Sequence, residues 1–107
     1  MVNEMPKKIS VIIKEPGKKA RHVNISPNLK NLQKTVGGYI ETVRIATDAC
    51  FICNEEGRSL NLPFNFRFGN INFVGTVIFA GVNGEEFSDV PISFLKAKEL
   101  FPEMFKV

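Results

Sequence analysis

The 107-residue chain has no tryptophan, one tyrosine, one histidine and two cysteines, and each shortage narrows what it can do. With His22 the sole imidazole, no histidine-based metal set is spelled out. No motif sets a nucleophile beside His22, so a surface or hydrogen-bonded role is expected for it. Cys50 and Cys53 stand in CxxC spacing, but no second pair follows to build a disulfide framework or a four-cysteine zinc site. No window approaches eighteen apolar residues, and the first residues hold no apolar signal core. The expectation is therefore a cytoplasmic chain with neither membrane span nor cleaved leader. GxGxxG and GxxxxGK[ST] are both missing, which removes the familiar phosphate loops. An acidic excess is missing as well: the formal net charge of +3 has the wrong sign for a mimic of double-stranded DNA.

What is there is a modest core and an uneven charge. Ten phenylalanines, with Val, Ile and Leu, must supply the large apolar packing that tryptophan does not. Residues 1–67 carry eleven Lys/Arg against six Asp/Glu, whereas residues 68–107 carry three against five. Lys7, Lys8, Lys14, Lys18, Lys19 and Arg21 gather near the start, as a solvated basic face or a surface for phosphate.

Residues 1–7 read as a flexible polar lead and 8–107 as one compact domain. Over 8–15, Ile9, Val11 and Ile13 share one parity and Ile12 the other, the pattern of a strand. Pro16-Gly17 signals a turn, and 20–25 returns as a second strand. Ser26, with Pro27 in first helical position, or else Asn28, caps a short helix striped by Leu29, Leu32 and Val36. Gly37 or Gly38 stops it in left-handed backbone. Strands follow over 39–45 and 49–54. Asn54-Glu55-Glu56-Gly57 then makes a turn, with Gly57 at a positive φ. The stretch 61–72 resists assignment because Pro63 and Gly69 interrupt it. One strand is expected over 73–80, a turn at Asn83-Gly84, a strand over 85–87, and a helix from an Asp89 cap to about Leu100 with Pro91 in its first turn. The fold class is α+β: a small mixed or antiparallel sheet with one central short helix and a C-terminal helix. The element order is β-grasp-like, and other α+β sandwiches share it.

Candidate chemistry is sparse. On a strand, Cys50 and Cys53 point to opposite faces and cannot share a metal, so they read as core thiols. Phe64, Phe66 and Phe68 alternate beside Arg67, as core packing or as a stacking row. Tyr39 fits a binding aromatic or a strand residue covering the helix.

Three segments, NLKNLQKTVGGYIETV at 28–43, ICNEEGRSLNLPFN at 52–65 and VGTVIFAGVNGEEF at 74–87, resemble the bacterial and phage family called domain of unknown function 3846. The resemblance runs over about residues 8–95. It highlights Val36, Gly37, Gly38, Tyr39, Ile40, Glu41, Asn54, Glu55, Glu56, Gly57, Pro63 and Asn65. It implies a small protein of phages, plasmids or other mobile elements and assigns no catalytic residue, metal or cofactor.

The leading functional expectation is a non-enzymatic, host-interacting accessory protein with an unidentified protein partner. Its contact surface would be Tyr39, Glu41, Asn54, Glu55, Glu56 and Asn65, with Gly37, Gly38, Gly57 and Gly84 as structural supports. The second is nucleic-acid binding through Lys14, Lys18, Lys19 and Arg21. The third is a metal-assisted hydrolase, should folding gather Glu41, Glu56 and Asn65.

Overall fold

The computed structural model describes residues 7–106, so the polar lead expected over 1–7, Lys7 apart, lies outside the described residues, as does Val107. Strands β1 (Ile9–Lys14) and β2 (Arg21–Ile25) form the first hairpin, closed by a turn in which Lys18 N donates to Glu15 O at 3.1 Å. Helix α1 (Leu29–Val36) follows. Asn28, not Ser26, is its cap: Asn28 Oδ1 accepts from Asn31 N at 2.8 Å, and Pro27 lies before the helix. The side chain of Asn31 holds that arrangement by donating back to Ser26 O. Gly37 ends the helix at φ +83, its amide donating to Gln33 O at 2.8 Å. A β-branched residue is strained in that backbone.

Strands β3 (Ile40–Ala46) and β4 (Ala49–Asn54) lie close to the two stretches expected and pair antiparallel. The unassigned stretch resolves into β5 (Phe64–Phe68), which pairs with β6 (Ile71–Val74) in a separate two-stranded hairpin. The single strand expected over 73–80 is broken. It ends at Val74, turns at Gly75 (φ +73), and resumes as β7 (Val77–Asn83) in the main sheet. Gly75 N donates to Pro63 O at 2.7 Å, so the chain leaves one sheet for the other at a residue that tolerates left-handed backbone. Gly84 (φ +66) lies in the turn to β8 (Glu86–Ser88). The last helix, α2 (Phe94–Leu100), is capped by Ser93. Asp89 is drawn elsewhere: its Oδ1 accepts from Ser10 N at 2.7 Å, across the chain.

The main sheet runs β2-β1-β7-β4-β3, with β8 also beside β7, and every pairing is antiparallel. One face, with Val11, Ile13, Cys50, Ile52, Ile78 and Ala80, packs on Leu32 and Val36 of α1. The other, with Ile12, Phe51, Cys53 and Phe79, packs under Phe66 and Phe73 of the β5–β6 hairpin and under Ala97 and Met104. Both faces of β4 are covered, which is why its sequence is apolar without alternation.

A bulge explains the phenylalanine row. Phe64 pairs with Val74 but Phe66 with Phe73, so Asn65 is the extra residue. Its Nδ2 donates to Lys14 O and Gly75 O, both at 2.8 Å, pinning the hairpin over β1. The shift in parity turns Phe66 and Phe68 towards the core and leaves Phe64 exposed.

Candidate functional site

Asn54 is the node from which the site is built. Buried at the end of β4, it donates from Nδ2 to Val36 O (3.2 Å) and accepts at Oδ1 from Glu56 N (2.7 Å). The helix end and the 54–57 turn are thereby tied to one amide. Gly38 lies against that amide: a Cβ there would come within 2.9 Å of Asn54 Nδ2. Gly57 is needed for space, since a Cβ would meet Val74 Cγ2 at 2.8 Å. The positive φ expected for Gly57 is not found; close packing against β6 sets that residue.

Between the 54–59 segment, β3 and β6 lies an open cleft of about 480 Å³. Glu41 from β3 and Asn54, Glu55 and Glu56 from the turn line it, with Val43, Cys53, Arg58 and Phe73. Three carboxylates face one guanidinium, and Arg58 is partly engaged, donating to Asn72 O at 3.3 Å. Four of the six contact residues expected from the sequence thus meet in one concavity. Tyr39 is exposed, and its carbonyl accepts from Glu55 N at 2.8 Å, beside the cleft. Asn65 is not there; its bulge serves the hairpin. Glu41, Glu56 and Asn65 are therefore not gathered as a catalytic set. Among the described residues, no group of three or more His, Cys, Asp or Glu side chains is placed to hold a metal ion.

The cysteines take opposite faces of β4, Cys53 in the hairpin-side core and Cys50 in the helix-side core. Burial pushes both thiols up to about 11, aided at Cys53 by Glu41 and opposed at Cys50 by Arg44. Thiols in that state are poor nucleophiles at neutral pH. His22 is exposed, stacked 6.3 Å from Phe94, with Nε2 against Ser10 Oγ. Among the described residues no carboxylate accepts from its other ring nitrogen, the orienting contact that a Ser–His pair needs.

The basic hairpin is much changed. Lys14 is no surface cation: it is buried at 1% exposure, its Nζ donating to Glu15 O at 2.9 Å, because the β5–β6 hairpin lies over the end of β1. Lys18 and Arg21 both lie near the Glu15 carboxylate, at 3.8 and 3.4 Å, which leaves Lys19 without an ion pair among the described residues. Sequence reasoning missed a second basic site, a cleft of about 490 Å³ lined by Lys8, Lys30 and Lys34. A signal was available in the absence of any Asp or Glu between Glu15 and Glu41.

Burial lowers the Lys14 pKa from its ordinary 10.5. The unfolded chain then holds the proton more readily, so the penalty is full below the folded pKa and fades as pH climbs to 10.5. Lys14→Met should raise stability by about 1 kcal/mol near pH 7, or roughly 4 °C in melting temperature. The gain should shrink as pH approaches 10.5. Melting curves of both proteins across that range check it, and a variant that melts lower near neutrality would show the ammonium to be net stabilising.

A scan against protein-family models matches residues 9–106 to the family Domain of unknown function (DUF3846). The chain belongs to that family, as the three segments suggested. No curated protein and no solved structure matches it.

Proposed function

We propose that this member of the DUF3846 family is a non-enzymatic accessory protein that binds a cationic segment of a protein partner in the cleft between β3, β6 and the 54–59 segment. The supporting observation is convergence: Glu41 comes from one strand and Glu55 and Glu56 from a turn, yet they line one concavity with a single opposing guanidinium. Such a surface attracts Lys- or Arg-bearing chains and steers their approach. Its wall is stiffened by Asn54, so its shape is formed before binding. The family resemblance implies a phage or mobile-element setting, which supports a host protein in the cytoplasm as the partner.

The test is affinity capture from the native host with the wild type and with a Glu41→Gln, Glu55→Gln, Glu56→Gln triple variant. One protein should be recovered reproducibly, and its recovery should fall at least about tenfold with the variant and with rising salt. Equal recovery by both would place the contact elsewhere. Turnover of a small molecule by the isolated wild type, lost in the triple variant, would replace binding with catalysis at the same cleft.

A further inference from the structure

We infer that the cleft lined by Lys8, Lys30 and Lys34 is a binding site for the phosphodiester backbone of a nucleic acid. It is separate from the acidic cleft and from the basic hairpin first suspected. Lys8 immediately precedes β1; Lys30 and Lys34 stand four residues apart on one side of α1, within its first and last turns. Three ammonium groups from two separate segments therefore share a cleft of about 490 Å³.

Among the described residues no carboxylate lines this cleft and none of the three lysines has an ion pair, whereas Lys18, Arg21, Lys96 and Lys106 each have one. The rest of the polar lining is neutral: Asn24, Asn28 and Asn31 with Ser26. Amides and hydroxyls of that kind bond phosphate and sugar oxygens. The first turn of α1 carries no acidic residue, so its amide dipoles add to the positive field. No aromatic side chain lines the cleft, which leaves nothing to stack a base. Contact is then with the backbone, tolerant of sequence, weak and salt-sensitive.

Fluorescence anisotropy of a labelled mixed-sequence oligonucleotide of about 20 nucleotides, duplex and single-stranded, tests this between about 20 and 200 mM KCl. The proteins are the wild type, a Lys8→Gln, Lys30→Gln, Lys34→Gln triple variant, and a Lys18→Gln, Lys19→Gln control on the hairpin. All five lysines are exposed, and circular dichroism checks that each variant keeps its fold. Three phosphate contacts predict a slope of log affinity against log salt near −2.7 for duplex and near −2.1 for single strands. The triple variant should lose at least about tenfold in affinity at the lowest salt, and the control less than about twofold. Absence of binding at low salt would overturn the proposal, as would equal losses in the two variants. Polyglutamate of matched charge competing as well as DNA would overturn it too, since the cleft would then read charge alone.

Discussion

Phe51→Ala should remove about 3–5 kcal/mol of stability, the largest loss expected from truncating any one side chain here. Phe51 is fully buried in β4, and its ring lies 5.1–5.6 Å from those of Phe66, Phe68, Phe73, Phe79 and Phe101. Four of these pairs are edge-on, the arrangement in which the positive rim of one ring meets the face of another, and the fifth, with Phe79, is tilted. The partners come from β5, β6, β7 and the segment after α2. One truncation therefore loosens the sheet's contact with both the β5–β6 hairpin and the C-terminal segment, which cover this face. The exposed Phe64 is the control: Phe64→Ala should shift stability by no more than about 0.5 kcal/mol. Urea unfolding of both variants makes the comparison. A loss below about 1 kcal/mol for Phe51→Ala would mean that the aromatic cluster does not hold the layers together.

Gly81→Ala should cost about 3 kcal/mol, although it adds only a methyl group. A Cβ on Gly81 would lie 1.9 Å from Asp89 O and 2.8 Å from Ser88 Oγ. Backbone cannot yield there by a rotamer change. The crossing segment is held on its far side, where Val90 N donates to Ser10 O and Asp89 Oδ1 accepts from Ser10 N. Relief requires β8 to leave β7, so amide exchange over residues 86–90 should accelerate well beyond that of β4. Gly84→Ala is the instructive contrast: nothing lies within 4 Å of a Cβ there, and the cost is limited to the positive φ, about 1 kcal/mol. If Gly81→Ala melts within a degree or so of the wild type, the close approach is not a constraint on the fold.

The two sites differ in how they were reached. Asn54, Glu55 and Glu56 are neighbours in sequence, and the turn that holds them was recognisable from its residues. Their meeting with Glu41 follows from the β3–β4 register, in which Glu41 pairs with Cys53. Lys8 offers no such hint of Lys30 and Lys34. It meets them because α1 packs back on the sheet face that β1 supplies, through Leu32, Val36, Val11 and Ile13.

Short-range physics was legible without coordinates. Alternation named the first hairpin, apolar spacing and a glycine stop named α1, and parity separated Cys50 from Cys53. The joined motifs at 28–43, 52–65 and 74–87 sufficed for the family. Each rests on interactions within a few residues, where side-chain direction follows from backbone period. The rest depended on residues distant in the chain. The Asn65 bulge reverses the parity of Phe64 relative to Phe66, and no reading along the strand could reveal it. Gly75 ends one strand and frees the next because Pro63 and Leu62 lie against it. Ser93 displaces Asp89 as a cap because Ser10 claims the aspartate. Lys14 looked like a surface cation until a hairpin fifty residues away closed over it. Burial, bulges and converging charges are set by which segments pack together, and that choice minimises exposed apolar surface over the whole chain, a quantity no local window contains.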